Sequence, residues 1–290
     1  MQEVKNNKSG LDGKICVVTG ANAGIGLETA RGLAEMGATV VMVCRDRQRG
    51  EAAQSEIKQT SGNDRVELMI CDFSSQASIR GFAADYKVRH ERLDVLVNNA
   101  GVLLRELSLN RDGVESTFAI NHLGYFLATN LLLDVLKKSA PSRIVNVAST
   151  AHKYGKIDIG GWVAGKNYSA FGAYANSKLA NVLFTYELAR RLQGTGVTAN
   201  CLHPGGVGTN LFRGLPGLLQ GLIKLVTIGP ERGARTSIYL ASSPEVKGIT
   251  GKYFARRRQQ NSSEISHNEE AARRLWEVSE ELTGLNTAKS

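Results

Sequence analysis

Tyr174 and Lys178 lie four residues apart in the stretch Tyr-Ala-Asn-Ser-Lys, a spacing that puts both side chains on one face of a helix. An ammonium group beside a phenol favours the phenolate, so it should lower the tyrosine pKa from its ordinary value near ~10. Such a phenol can act as a general acid or base on an alcohol or a carbonyl. Tyr174 is the only one of the eight tyrosines with a lysine four residues on. An ordinary solvated helix face presents the same pair, so its meaning depends on the surrounding elements.

A glycine-rich turn near the start of the chain has the context of a nucleotide-binding site. The apolar run Lys14–Thr19 predicts a strand, and an amphipathic pattern over Leu27–Met36 predicts a helix. Between them, glycines let the backbone approach a pyrophosphate, while the helix N-terminus directs free N–H groups at its charge. The sequence therefore predicts a dinucleotide site at this turn, whose contacting residues are Gly20, Asn22, Gly24, Ile25 and Gly26.

Four motifs follow one another along the chain: Thr19-Gly20-Ala-Asn-Ala-Gly24-Ile-Gly26, Asn98-Asn99-Ala100-Gly101, Tyr174-x-x-x-Lys178, and Pro204-Gly205-x-Val207-x-Thr209. In these residues and this order the chain resembles the short-chain dehydrogenases/reductases, from about Leu11 to Phe254. Ser149 and Tyr174 are separated by 174 − 149 = 25 residues, which is longer than is usual in that family. The long insertion and the pattern Tyr-x-x-Ser-Lys-Leu-Ala are similar to the retinol dehydrogenase-like branch.

The resemblance implies a catalytic set of Asn121, Ser149, Tyr174 and Lys178. Tyr174 would pass the proton, Ser149 would polarise the carbonyl oxygen, and Lys178 would hold the ribose hydroxyls. Asn121 is implied to kink the predicted helix Val114–Lys138, so that a water links its carbonyl to Lys178. Ser149 and Tyr174 are thereby also the expected substrate contacts.

The position of Ser149 agrees with that role independently of the resemblance. It follows the predicted strand Arg143–Ala148, and ligand sites in open α/β sheets lie at the carboxyl ends of strands. Thr150 is the competing hydroxyl, and the alignment of the motifs favours Ser149.

The end of the second predicted strand, Thr39–Cys44, indicates which cofactor binds. Proteins that bind the ribose 2′-hydroxyl carry an acid ~20 residues after the glycine turn. Here Cys44 stands 44 − 26 = 18 residues after Gly26, and Arg45 follows it. A carboxylate would repel a 2′-phosphate, whereas a guanidinium can bind it. NADP(H) is therefore favoured over NAD(H), unless Arg45 only flanks the strand end.

The resemblance assigns further residues to the cofactor. Asp72 is implied to hydrogen-bond the adenine amino group and Phe73 to flank the ring, although Asp72 could also be the N-cap of a helix over Ser75–His90. The other implied contacts come from two loops, one near the adenosine ribose with Asn99, Ala100 and Gly101, and one at the nicotinamide with Pro204, Gly205, Val207 and Thr209. For the first loop a purely structural role is an equal alternative.

The composition is that of a soluble globular protein, with 42% hydrophobic and 22% charged residues in 290. The net charge of +9 raises the question of a polyanionic partner, but Arg256-Arg257-Arg258 has no interleaved aromatics, so no nucleic-acid partner is expected. The four cysteines lack CxxC spacing, which indicates reduced core residues and no metal site. No basic-then-apolar signal precedes the first strand, and no apolar run of 18 residues occurs. We therefore expect a cytoplasmic protein without a transmembrane segment.

The alternation of strands and helices predicts the α/β class: a single doubly wound Rossmann domain of about seven mainly parallel strands, with helices on both faces. We expect a disordered polar leader over 1–10 and one domain over 11–290, with an edge strand around Tyr253. The apolar, glycine-broken segment 211–228 is expected to be a substrate lid; a peripheral membrane contact or a subunit interface are the alternatives. Residues 268–283 predict a C-terminal helix. A homo-oligomer through the long helices stays open.

The expected function is hydride transfer between NADP(H) and an alcohol/carbonyl pair. By resemblance, the small-molecule substrate would be a lipophilic aldehyde or ketone, retinal-like, that the protein reduces. Two alternatives are a reductase of small xenobiotic carbonyls and a non-catalytic NADP(H)-binding regulator. A third is a basic protein that binds nucleic acid or a lipid surface.

Overall fold

The computed structural model describes residues 10–165, 167–205 and 229–285. Their strands form one eight-stranded sheet in the order β3-β2-β1-β4-β5-β6-β7-β8. All neighbouring strands are parallel except β7 and β8, which pair antiparallel. The strands are β1 (Ile15–Thr19), β2 (Thr39–Cys44), β3 (Val66–Ile70), β4 (Val95–Asn98), β5 (Ser142–Val147), β6 (Val197–His203), β7 (Tyr253–Ala255) and β8 (Arg258–Gln260).

Helices cover both faces of this sheet. They are α1 (Gly24–Glu35), α2 (Arg47–Ser61), α3 (Gln76–Arg89), α4 (Ser116–Phe118), α5 (Gly124–Leu131), α6 (Leu133–Lys138), α7 (Ile159–Ala164), α8 (Ala170–Arg191), α9 (Pro230–Ser242) and α10 (Glu269–Thr283). Alternate residues of β1 point to opposite faces of the sheet and so pack in different hydrophobic cores. Val17 packs with α3, α5 and α8 on one face. Cys16 and Val18 pack with α1, α2 and α9 on the other. Burial on both faces explains the continuous apolar strands, and the doubly wound α/β fold is confirmed.

The sheet has one strand more than expected. β8 follows β7 after the two-residue turn Arg256-Arg257 and pairs Tyr253 with Gln260. The strand around Tyr253 was expected at the edge of the sheet, and β8 takes that place instead. Three exposed polar residues, Arg258 to Gln260, carry no apolar signal by which the sequence could have predicted a strand.

The helix predicted over Val114–Lys138, with a kink implied at Asn121, is interrupted at two places. Residues Ala119–Leu123 form a π-helical turn between α4 and α5, and Leu132 separates α5 from α6. A π turn inserts an extra residue into the helical ladder, which shifts the following side chains around the helix axis. Asn121 lies in the middle of this turn.

The C-terminal helix α10 packs along α8. Trp276, which is 5% exposed, lies edge-on to Phe126 of α5 at 4.9 Å and 5.8 Å from Phe184 of α8, centroid to centroid. The guanidinium of Arg191 covers the same indole at 4.2 Å. The helix expected over 268–283 is thus present, and it covers part of the surface of α5 and α8.

Two of the expected segments fall outside the described residues: the lid over 211–228, and the leader apart from Gly10. Within the described ranges, no helix combines the length and the hydrophobicity needed to cross a bilayer. Cys16, Cys44, Cys71 and Cys201 are all buried and unpaired, which confirms the expectation of reduced core cysteines.

Candidate active site

The motif residues meet at one edge of the sheet, where the parallel strands end. Gly20 follows β1, Asn99 follows β4, Ser149 lies two residues beyond β5, and Pro204 follows β6. Four segments distant in sequence thereby form one cleft, because carboxyl ends of parallel strands share an edge. Tyr174 and Lys178 reach this edge from α8, which packs against β5 and β6.

Ser149 and Tyr174 form a hydroxyl pair. Ser149 leaves β5 in an extended conformation and caps a 3₁₀ turn at 150–154, where its Oγ accepts a 3.2 Å hydrogen bond from the Ala151 N–H. The same hydroxyl is a hydrogen-bond partner of the Tyr174 phenol. A carbonyl oxygen placed between these two hydroxyls would meet two donors, which is the arrangement that polarises a carbonyl.

Lys178 is buried beneath this pair, at 3% exposure. Its Nζ donates a 3.0 Å hydrogen bond to the carbonyl oxygen of Val147, the last residue of β5. It also lies 5.5 Å from the ring centroid of Tyr174 and 5.8 Å from that of Tyr125. The helical spacing therefore places the lysine against the phenol ring, as the sequence predicted. The hydrogen bond to Val147 also links α8 to β5.

The expected lowering of the Tyr174 pKa is not found. Burial raises the pKa of Tyr174 to about 12, and the hydrogen bond with Ser149 offsets part of that rise. Burial also lowers the pKa of Lys178 to about 7. Desolvation disfavours the charged form of both groups, and helical spacing alone does not reveal how deeply the pair is buried. Tyr174 is consequently a protonated phenol at neutral pH.

Asn121 joins the π turn to two neighbouring segments. Its Oδ1 accepts from the Val102 N–H at 2.8 Å and its Nδ2 donates to the Val102 carbonyl at 2.9 Å. Nδ2 also donates to Ser177 Oγ at 2.9 Å, and Ser177 in turn donates to the Tyr174 carbonyl. The side chain thus links the loop after β4 to the helix of Tyr174. The break in the helix at Asn121 matches the expectation, while the water path to Lys178 stays a prediction.

Side chains are excluded at two glycines of the first turn. A Cβ on Gly26 would lie 2.2 Å from the Gly20 carbonyl oxygen and 2.5 Å from Asn99 Nδ2. Gly20 itself has φ +67°, and a Cβ there would lie 2.9 Å from Ala100 Cα. The turn of β1 and the loop of β4 are therefore packed backbone against backbone.

Thr19 holds these two loops together, a role that the sequence did not reveal. Its Oγ1 accepts from the N–H groups of Asn99 at 2.8 Å and Ala100 at 3.0 Å. Asn99 Nδ2 returns a 2.8 Å hydrogen bond to the Thr19 carbonyl. Asn99 is thus occupied in supporting the turn, and Gly101 packs close to Asn121 and Lys178.

The start of α1 fits an anionic group. The helices beginning at Arg47, Gln76 and Ala170 are each capped by the side chain of the preceding residue. By contrast, α1 starts after Ala23 with no side-chain cap, and Asn22, Gly24 and Ile25 are partly exposed there. Its first N–H groups and the positive end of its dipole are left for a ligand such as a pyrophosphate.

Arg45, Asp72 and Phe73 differ in how they are placed. Arg45 is exposed and makes no ion pair with any described residue. Asp72 Oδ1 accepts from the N–H and the hydroxyl of Ser74, at 3.0 and 2.8 Å. The N-cap of α3 is Ser75, so the alternative role of Asp72 as the cap of that helix is wrong. Phe73 is 7% exposed and packs against Gly124, which leaves little of its ring for a ligand.

The loop after β6 is described only in part. Pro204 and Gly205 follow the strand, and Gly205 has φ +102°, a conformation that favours glycine. Val207 and Thr209, the other two expected nicotinamide contacts, lie outside the described residues.

His152 is a component of the site that the sequence did not reveal. It is 0% exposed, and its Nδ1 lies 2.5 Å from the Ser149 carbonyl oxygen. Its Nε2 accepts from the Ser263 N–H at 2.9 Å. A ring that donates at Nδ1 and accepts at Nε2 is neutral, and burial lowers the pKa of His152 in agreement. The imidazole thereby links Ser149 to Ser263, which lies 111 residues after His152 in the chain.

A row of buried amides and hydroxyls supports the site from below. Asn98 Nδ2 donates to Asn146 Oδ1 at 2.8 Å, and Asn146 Nδ2 donates to Thr185 Oγ1 at 3.0 Å. These bonds join β4, β5 and α8. The helix that carries Tyr174 is thus fixed laterally by polar contacts as well as by apolar packing.

Comparisons with known proteins agree with this geometry. The short chain dehydrogenase family matches residues 14–216. Human retinol dehydrogenase 14 is 44% identical over 294 residues, covering 95% of this chain and 88% of that protein. Human retinol dehydrogenase 12 is 47% identical over 277 residues, covering 95% and 88%.

Solved structures with a similar fold agree with these sequence matches. A crystal structure of an uncharacterised Mycobacterium paratuberculosis protein superposes with a TM-score of 0.77 at 34% identity, covering 96% of each chain. A Pseudomonas aeruginosa RhlG/NADP active-site complex has a TM-score of 0.69 at 29% identity, covering 84% of this chain and 94% of that one. The chain belongs to the short-chain dehydrogenase family of oxidoreductases, in its retinol dehydrogenase-like branch.

Proposed function

We propose that this protein reduces a lipophilic aldehyde or ketone to the alcohol with NADPH. One observation carries the proposal: the Ser149 hydroxyl interacts with the Tyr174 phenol, and the buried ammonium of Lys178 lies 5.5 Å from the Tyr174 ring centroid. A binding module without catalysis has no need of two convergent donors and a desolvated cation. The non-catalytic regulator is therefore the weaker alternative.

Ser149, Tyr174 and Lys178 have different roles in the proposed reduction. Ser149 donates a hydrogen bond from its hydroxyl to the carbonyl oxygen and so holds and polarises the substrate. Tyr174 is protonated at neutral pH because its pKa is raised, so it can deliver a proton to the oxygen as negative charge develops there. When bound, the nicotinamide would supply the hydride. Lys178 adds positive charge beneath the phenol, which stabilises the phenolate left after proton transfer.

Two observations support NADP(H) as the cofactor. The exposed guanidinium of Arg45, unpaired among the described residues, follows β2 where an NAD-binding protein of this fold carries an acid. The similar Pseudomonas protein is described as a complex with NADP. Gly20, Gly24 and Gly26 would hold the pyrophosphate against the start of α1, and Arg45 would hold the 2′-phosphate.

Relatives support the lipophilic substrate class. Several proteins 44–47% identical to this chain are named retinol dehydrogenases, so a retinal-like aldehyde is the first compound to test. Small xenobiotic carbonyls are the second class. They should be reduced by the same hydroxyl pair but with higher KM, because they bury less apolar surface.

The test is the consumption of NADPH with all-trans-retinal by the wild type and by Tyr174→Phe. We expect turnover in the wild type and a loss of at least about a hundred-fold in kcat for Tyr174→Phe, since general acid catalysis is removed. NADPH binding, followed by its fluorescence, should be unchanged. Undiminished turnover in Tyr174→Phe would contradict the mechanism, and turnover with NADH but not NADPH would contradict the cofactor.

A further inference from the structure

A cavity of about 330 Å³ opens at the carboxyl ends of β5, β6 and β7, the edge of the sheet at which Ser149 lies. Thr150, the residue directly after Ser149, forms one wall, and His203 and Gly205 at the end of β6 form another. The cavity thus begins one residue away from Ser149 in the sequence. The family motifs assign no residue to it except Gly205.

Among the residues that the structure describes, the charged groups lining the cavity are cationic. Lys153 and Arg256 line it, and within the described parts of the chain neither side chain makes an ion pair or a hydrogen bond. None of its described lining residues is an aspartate or a glutamate. The side-chain amides of Gln260 and Asn261 add further donors. Such a lining complements a group that only accepts hydrogen bonds.

His203 adds a directed donor to this set. Its Nδ1 accepts a 3.2 Å hydrogen bond from the Thr150 N–H, so the neutral ring carries its proton on Nε2. Burial above all, and then the nearby guanidinium of Arg256, lower the pKa of His203 to about 4. The ring is thus neutral at physiological pH, with Nε2–H available as a donor.

The backbone under Arg256 is held in an unfavourable conformation. Arg256 and Arg257 form the turn between β7 and β8 with φ +51° and +61°. Hairpin turns with two positive φ angles strongly favour asparagine and glycine, because other side chains meet the backbone there. Two adjacent arginines destabilise such a turn, and conformations of this kind often persist where a side chain is needed for function.

We propose that this cavity binds an anionic group, such as a carboxylate, carried by the substrate at the end remote from its carbonyl. The inference rests on the proposed function and narrows it to an amphipathic carbonyl compound with an apolar body. Arg256 and Lys153 neutralise the anion, and His203 orients it.

A matched pair of probes separates charge from shape: sodium para-formylbenzoate and its methyl ester. Binding is measured by calorimetry with saturating oxidised cofactor, so that no hydride is available to reduce the aldehyde. We expect the wild type to bind the carboxylate about ten-fold more tightly than the ester. Arg256→Asn should bring the two dissociation constants within about three-fold of each other, and Lys153→Gln should give an intermediate ratio.

Arg257→Gly is the matched control. It removes one charge from the same turn and relieves the same kind of strain, but Arg257 does not line the cavity. It should keep the wild-type preference for the carboxylate. Both Arg256→Asn and Arg257→Gly should raise the melting temperature, which also verifies that the variants are folded. Equal affinity of the wild type for both probes, or an equal loss of preference in the two variants, would overturn the inference.

Turnover of the same probes with NADPH separates this inference from the proposed function. Tight carboxylate binding without reduction of either probe would refute the reductase and leave the anion site in place. Reduction of the ester together with equal binding of both probes would refute the anion site and leave the reductase in place.

Discussion

The Nζ of Lys178 lies 5.5 Å from the ring centroid of Tyr174, and both groups are desolvated at that position. Burial moves their pKa values in opposite directions, the lysine down to about 7 and the tyrosine up to about 12. The pair is thus a neutral phenol above a lysine that titrates near physiological pH. A bound anion or a phenolate nearby would favour the charged lysine.

Lys178 should make folding stability depend on pH. Its folded pKa of about 7 lies below the unfolded value of 10.5, so between these values the unfolded chain binds one more proton. Stability therefore rises with pH across this window, by at most about 1.4 kcal/mol per pH unit from this group. We expect urea unfolding without added cofactor to show that the free energy of unfolding of the wild type increases relative to that of Lys178→Met between pH 7 and pH 10. A constant difference between the two proteins would show that Lys178 stays charged in the fold.

His152 should position Ser149 through Nδ1 alone. In His152→Asn the amide nitrogen takes the place of Nδ1 and can still donate to the Ser149 carbonyl, whereas His152→Gln places its amide near Nε2. We expect kcat to stay within about three-fold in His152→Asn and to fall on the order of ten-fold in His152→Gln, with KM for NADPH unchanged in both. Equal losses of kcat and of melting temperature in both variants would instead indicate a general packing role.

The cofactor preference should depend on Arg45. Arg45→Glu replaces a guanidinium by a carboxylate where the 2′-phosphate is expected, and should lower kcat/KM for NADPH at least about a hundred-fold. The kcat/KM for NADH should fall far less, because NADH carries a hydroxyl in place of the 2′-phosphate. Arg47→Glu is the control, since Arg47 is also exposed and lies in α2, where it pairs with Glu51 at 3.8 Å. A similar loss in both variants would attribute the effect to net charge.

The sequence predicted those parts of the site that depend on short-range spacing. The glycine turn, the strand ends and the Tyr174/Lys178 face follow from local pattern, and the structure brings them together. The contact of His152 with Ser263 spans 111 residues, so no local pattern could reveal it. The direction of the Tyr174 pKa shift depends on burial, which the helical spacing does not encode. The resemblance implied the break at Asn121, but its π-helical form was not predicted, because the apolar pattern around it is typical of a regular helix.

Two glycines in helices should respond oppositely to the same substitution. In Gly26→Ala of α1, the new Cβ would lie 2.2 Å from the Gly20 carbonyl oxygen, so the turn must move. We expect a loss of about 1–3 kcal/mol in the free energy of unfolding and weaker cofactor binding. Gly81 lies in the interior of α3, and a Cβ there would meet no atom within 4 Å, so Gly81→Ala should stabilise the protein by about 0.5–1 kcal/mol. Urea unfolding and NADPH fluorescence titrations of both variants provide the measurement. If Gly26→Ala kept wild-type stability and affinity, the close packing of the glycine turn against the loop of β4 would not be required for either.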